Sequence, residues 1–427
     1  MRSRAVLLIL LMMGMSVSSI AMADSTISSS TTWSGNVVLS GNVTVDASTT
    51  LVIESGAVVD AQNYWLQIDG TLEASDAQFM TSETSSSPGS TGAGLWGGIK
   101  ISSGGSAVLS NVSISGAESA LEVHGDATIH ESISIMNSYI GFDIGASGMV
   151  DAENVTMSTI DIQSVVNHGT LAIDTALITN TATGILSTND LTIDDVSFFE
   201  TGVAIDIVSG SADISGLGLE NVSVGIGSDS GASTTVTSIY GQHVSLLIDG
   251  TDADDLTVSN ALVSGDRLLW GSVESISLSD MNFTQENPGR SAIDLRCSID
   301  CTFDNIYVHN ADIGIDVDGT GTTTLTESEI HADQLGLRAS GTGLLVMESS
   351  VLKANETAFS ISSVNTDLTD TTISLHDGVG PAAILLEGEH QWDDVEVTKP
   401  YSSLDTQSVG LDVWYSTIHA TSLTTDG

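Results

Sequence analysis

The chain has 427 residues, and nine basic against 55 acidic side chains give a formal net charge of −46. A nucleic-acid binder needs a basic footprint, so that class is excluded. Disorder requires low hydrophobicity alongside high charge, and 41 % hydrophobic residues with a mean hydropathy of +0.21 exclude it too.

At the N-terminus, Arg2 and Arg4 precede an apolar stretch from Ala5 to Met15, and Ala21-Met22-Ala23 supplies small residues at cleavage spacing. This is the pattern of a secretory signal peptide over residues 1–23. It predicts cleavage near Ala23 and an extracellular or cell-surface location. After residue 22 no apolar run approaches the ~18 residues of a span, so the mature segment is expected to cross no membrane. Six Asn-x-Ser/Thr sequons, at Asn42, Asn111, Asn154, Asn221, Asn282 and Asn355, permit glycosylation. The same Asn-Val-Ser/Thr runs also read as a turn followed by a strand.

Beyond the leader, Val, Ile, Leu and Thr alternate with Ser, Asp, Asn and Gly in bursts of three to five residues. This is strand-and-turn sequence with no helical stripe. The bursts recur as small–apolar–x–apolar: Ala120-Leu-Glu-Val, Gly141-Phe-Asp-Ile, Ala204-Ile-Asp-Ile, Gly225-Ile-Gly-Ser, Ala292-Ile-Asp-Leu, Gly314-Ile-Asp-Val, Gly336-Leu-Arg-Ala, Ala358-Phe-Ser-Ile and Gly410-Leu-Asp-Val. Ala120 to Gly141 is one step, Ala204 to Gly225 another, and Ala292, Gly314, Gly336 and Ala358 follow one another at nearly the same interval. The wider gaps fit degenerate copies. Leucine-rich repeats lack this frame, and propeller blades are about twice as long. A coil of three short strands and three turns fits, each strand pairing in parallel with its copy ~4.8 Å away. A single coil cannot bury its own apolar face, so stability must come from stacking.

On these repeats the chain resembles the right-handed parallel β-helix proteins of the pectin-lyase-like class, and within it the repeat-bearing microbial surface proteins. The runs Gly41-Asn-Val-Thr-Val, Thr50-Leu-Val-Ile-Glu-Ser-Gly-Ala-Val-Val and Gly94-Leu-Trp-Gly-Gly-Ile resemble the first coils of such proteins. The expected fold is therefore all-β: a right-handed parallel β-helix solenoid of about 22 residues per coil. It should cover roughly positions 34–420. Residues 24–110 are read as an N-terminal cap with the first irregular coils. Residues 111–427 are read as regular coils that continue beyond Gly427, and larger insertions are expected near 80–95, 286–291, 376–381 and 398–409.

Cys297 and Cys301 lie four apart, and in an exported protein they predict a local disulfide rather than a metal site. The outward x position brings Asp294, Asp316 and Arg338 onto consecutive coils, with Arg296 and Asp318 two residues along. Two carboxylates ~5 Å apart repel by ~0.8 kcal/mol in water and by ~3 kcal/mol at an effective dielectric of 20, so an arginine or a cation should compensate. The resemblance to polysaccharide lyases implies Asp294, Asp316 and Asp318 as calcium ligands and Arg338 as the catalytic base. The flanking motifs of those lyases are missing, however, which favours a self-neutralising charge ladder.

A second column, His309, His331, Lys353 and His376, recurs at nearly the same interval, with Asp312, Asp333 and Glu356 nearby. Stacked imidazoles suit a transition metal or a pH response. An acid two or three residues after each of the first three, however, makes the column read first as a turn position that tolerates a polar group paired to an acid. The run Asp249-Gly-Thr-Asp-Ala-Asp-Asp255 lacks EF-hand spacing and reads as a solvated turn. Six of the seven basic residues outside the leader follow residue 266, so a functional face, if there is one, is expected in the C-terminal half.

The expected function is a secreted or cell-surface non-catalytic β-helix protein: a stalk, adhesin or envelope component with a glycan as candidate ligand. It needs no cofactor, and calcium is the one ion its acidic columns suit. The expected partners are extracellular polysaccharide or other cell-surface components. The alternative is a calcium-dependent polysaccharide lyase or glycoside hydrolase.

Overall fold

Alternating apolar and polar residues put one side chain of each pair inward, and small corner residues let the chain turn before a longer strand develops. A computed structural model describes residues 24–84, 92–376, 380–399 and 410–426, together with the backbone of 20–22. The leader reading at 1–23 and much of the insertions at 80–95, 376–381 and 398–409 lie outside the described residues. The described residues contain strands and no helix, and the strands pair in parallel as a β-solenoid with about 22 residues between successive bridges. No helix among them is long and apolar enough to cross a membrane. The chain divides into two compact units, Met1–Ala176 and Leu177–Gly427. Position 110/111 falls within the strand Ser106–Ser115 of the first unit.

In the first unit three inward columns run along the three sides of the coil. One is Val37–Val59–Phe79–Ile114–Ile135–Met157. A second is Val43–Leu66–Ile99–Leu121–Phe142–Val165. The third is Leu51–Leu72–Ala107–Ala127–Val150. All of these side chains are buried. The step from Phe79 to Ile114 spans the long insertion after residue 80, and Trp96 closes its return by donating from Nε1 to the Ser115 carbonyl at 2.8 Å.

The second unit repeats the plan with larger side chains. Phe283–Val308–Ile330–Leu352–Ile373–Val397 line one side. Leu278–Phe303–Leu325–Met347–Leu368–Trp392 line another. Long paired segments such as Ala232–Gln285 and Ser291–Gly319 contain residues in the left-handed region, including Asn260, Asp280 and Asn305, and Asp370 takes the same conformation between the short strands Asn365–Thr369 and Thr372–Leu375. Asn and Asp tolerate that conformation better than other residues with a Cβ. After several such corners a buried hydroxyl folds back. Ser328, Ser350 and Thr371 each donate to the carbonyl two residues earlier, at 2.6, 2.9 and 3.0 Å.

The glycine that opens two consecutive repeats has a steric cause. A Cβ on Gly314 would meet the Gly336 carbonyl at 2.5 Å, and one on Gly336 would meet the Ala358 carbonyl at 2.4 Å. The acidic run 249–255, expected to be a solvated turn, instead lies within the continuously paired segment Ala232–Gln285. There Asp249 accepts the Thr251 hydroxyl at 2.6 Å, and Asp254 accepts the Gly231 amide at 2.7 Å.

Phe303 is fully buried, and replacing it with Ala should destabilise the protein by about 3–5 kcal/mol. Urea unfolding followed by circular dichroism measures this directly. His390 also has no exposed surface: Thr366 Oγ1 lies 3.0 Å from its Nδ1, and its Nε2 has no partner. Burial lowers its pKa below the ordinary 6.5, so the fold prefers neutral imidazole. The resulting stabilisation is complete above that value and is lost as pH falls through it. Between pH 7.5 and 5.5 the melting temperature of wild type should therefore drop more than that of His390→Gln. Equal drops would contradict this assignment.

Candidate functional site

Parallel register places the outward residues of successive coils side by side. Trp270 pairs with Asp294, Asp316 with Arg338, and Arg338 with Ser360; one position further along the same side, Ser272 pairs with Arg296 and Asp318 with Ser340. This is the face on which Asp294, Asp316, Asp318 and Arg338 were expected to meet.

Each carboxylate on it faces a guanidinium. Arg338 grips Asp316 with two hydrogen bonds, Nε to Oδ1 at 2.8 Å and Nη2 to Oδ2. Arg296 Nε lies 3.7 Å from Asp318 Oδ2, and Arg267 Nη1 lies 3.8 Å from Asp294 Oδ2. The hydrogen bonds that Arg338 donates to Asp316 raise the Arg338 pKa further above its ordinary value. A general base must release its proton near working pH, so this pairing argues against Arg338 as a base. Among the described residues no group of three or more His, Cys, Asp or Glu is placed to hold a metal ion.

Cys297 and Cys301 are bonded to each other with Cα atoms 6.1 Å apart, and both are buried. They lie within the strand Ser291–Gly319, immediately after Arg296.

Sequence spacing missed three members of this face. The step from Trp270 to Asp294 is longer than the step from Asp294 to Asp316, and Trp270 belongs to a degenerate copy without the opening small residue. Arg267 reaches Asp294 from still earlier in that lengthened coil. Arg290 sits in the short insertion after Gln285, where no periodicity applies. The usable signal was the scarcity of cations in the sequence, which makes each arginine conspicuous.

The histidine column is partly as expected. The rings of His309 and His331 meet edge to face with centroids 5.5 Å apart, and His331 pairs with Lys353. Lys353 then pairs with Ser374, not His376, because this coil closes before His376 is reached. Nor does the acid come from after the histidine. Glu329 Oε1 lies 2.6 Å from both His331 Nε2 and Lys353 Nζ. Residues i and i−2 share a strand face, which is why Glu329 reaches them. The hydrogen bonds from Lys353 and His331 hold the Glu329 carboxyl below its ordinary range.

Several sequon amides are engaged in the coil. Asn111 Nδ2 donates to Glu131 at 2.5 Å, Asn154 Nδ2 to the Glu131 carbonyl at 2.6 Å, and Asn355 Nδ2 to Asp333 at 3.2 Å. Asn111 and Asn221 sit at left-handed corners.

Asp316 and Arg338 are partly exposed, so the pair is worth about 1 kcal/mol at most. Asp316→Ala should shift the urea midpoint by no more than that, and 5 mM Ca²⁺ should change the melting temperature of neither protein. A calcium-induced rise lost in the variant would instead establish the calcium site. Comparison of the sequence with protein-family models and with curated proteins found no match in either.

Proposed function

We propose that this is an exported, non-catalytic β-solenoid that serves as a stalk, adhesin or envelope component and presents a glycan-binding face on its second unit. The observation that carries this reading is the pairing of Asp294, Asp316 and Asp318 with Arg267, Arg338 and Arg296. Asp316 is thereby hydrogen-bonded by Arg338, and Asp294 and Asp318 each have a longer contact to a guanidinium. Such a ladder relieves the repulsion that stacking imposes on a strongly acidic chain. Carboxylates matched by arginines, and an Arg338 guanidinium held protonated by Asp316, support the non-catalytic reading.

The acidity suits an exposed setting. Carboxylates spread over a surface with almost no lysine keep a protein hydrated and separate from its copies. The basic groups are concentrated where a ligand would be recognised, after residue 266.

The test has two parts. Secreted protein should begin at Asp24 and contain no free thiol by mass spectrometry. Incubated with polygalacturonate, alginate or pectin in the presence of Ca²⁺, it should yield no absorbance from unsaturated uronate and no new reducing ends. Unsaturated product that disappears in Arg338→Ala would overturn the non-catalytic reading in favour of a lyase.

A further inference from the structure

Trp270 is exposed at 42 % on the arginine-bearing side of the second unit. It stands between two depressions in the second unit. One, of about 550 Å³, is bordered by Arg267, Arg290, Asp266, Asn287 and Leu246. The other, of about 380 Å³, is bordered by Thr251, Ser272, Asp294 and Arg296. Three of the few arginines in the chain thus surround one indole.

The larger depression is a built site. Its wall is the short segment 286–290, pinned from several directions. Gln285 Nε2 donates to the carbonyls of Asp266 at 2.6 Å and Arg290 at 3.3 Å, while its Oε1 accepts the Asp312 amide at 3.1 Å. Asn287 Nδ2 donates to Asp266 Oδ1 at 2.6 Å. Glu286 is turned away and held by Ser264 Oγ at 2.6 Å and His243 Nδ1 at 3.0 Å.

Inside it two guanidiniums, Arg267 and Arg290, meet one carboxylate, Asp266, whose Oδ1 is already engaged by Asn287. Arg290 is exposed and has no carboxylate within ion-pair distance among the described residues. The Arg267 side chain is only 15 % exposed, its one ion pair is the long contact to Asp294, and its Nε is buried without a partner. Burial, augmented by the charge of Arg290, lowers the Arg267 pKa against the pull of Asp294. A buried N–H without an acceptor is costly, and two neighbouring guanidiniums call for an anion between them.

We propose that Trp270, Arg267 and Arg290 form a binding site for a carboxylate-bearing sugar residue of a polysaccharide. The apolar face of the sugar ring lies on the indole, and its carboxylate lies between the two guanidiniums. Its hydroxyls donate to Asp266 and accept from Asn287. The second depression, with Arg296, takes the next residue of the chain. This deepens the glycan-binding reading above and rests on it.

Intrinsic tryptophan fluorescence and calorimetry, with a hexuronic-acid tetrasaccharide as probe, test the proposal at pH 7 and 0.15 M salt. The probe should bind wild type and perturb a fluorescence component that is absent from Trp270→Ala. Arg290→Gln, a change at an exposed side chain, should weaken binding at least tenfold with no change in melting temperature. The neutral hexose tetrasaccharide should bind at least tenfold more weakly than the uronate. Undiminished binding by Arg290→Gln, equal affinity for the neutral sugar, or binding only of a sulfated tetrasaccharide would each overturn the carboxylate site. Failure here leaves the non-catalytic reading standing, whereas unsaturated product would overturn that reading and leave the site.

Discussion

The parallel backbone ladder between successive coils is the interaction on which everything else depends. It fixes neighbouring strands ~4.8 Å apart and makes each side chain face its counterpart about 22 residues away. Inward, that condition turns the core into columns, so Leu278, Phe303, Leu325, Met347, Leu368 and Trp392 stack without interruption. At the corners it calls for left-handed backbone, which Asn and Asp supply at many positions and Ser, Glu and others, such as Thr159, at the rest. Outward, it places charge beside charge.

That last consequence is severe for a chain with 55 acidic residues, and several local solutions recur. Glu122 and Asp143 are ladder neighbours, and Lys100 sits on the other side of Glu122 at 2.8 Å. Burial alone would raise the Glu122 pKa, but the bonds and charges of Lys100 and His124 hold it below its ordinary range. Asp143, which lacks such a bond, is raised by burial and by the charge of Glu122. Elsewhere a gap does the work of a cation. Gly227 lies between Asp206 and Asp249 in the ladder, which separates those carboxylates by two strand spacings instead of one. Asp206 is nevertheless raised, by burial and by the charges of Asp229 and Asp249. Against this background the arginine-rich face of the second unit is the exception: there Asp294, Asp316 and Asp318 each have an arginine beside them, and Arg290 stands without an ion-pair partner among the described residues.

The fold was legible because stacking imposes a period, and a period survives in a single sequence. The repeat starting at Ala292, Gly314, Gly336 and Ala358 follows the ladder, and the column Asp294, Asp316, Arg338 follows from it. What escaped lies where the period breaks. A shortened coil moved Ser374 into the place expected for His376. A lengthened one hid Trp270, and an insertion carried Arg290 out of frame. The acidic run 249–255 was misread because its Asp residues look like turn residues; the neighbouring coil supplies them with donors and keeps them in the ladder. Partners also escaped where the contact runs between i and i−2, as with Glu329 and His331. Periodicity locates rungs, and it is the departures from periodicity that carry the individuality of the binding face.

Cross-linking across one rung tests the ladder, and with it the whole account, most directly. Thr326 and Glu348 are register partners on the outer surface. At that separation a parallel pair lies within the Cα range of a disulfide. Thr326→Cys with Glu348→Cys should oxidise to an intramolecular bond in the folded protein, whereas Thr326→Cys with Val346→Cys, two residues out of register, should not. Efficient bonding in the second pair and none in the first would contradict the parallel register from which the core, the charge pairs and the Trp270 face all follow.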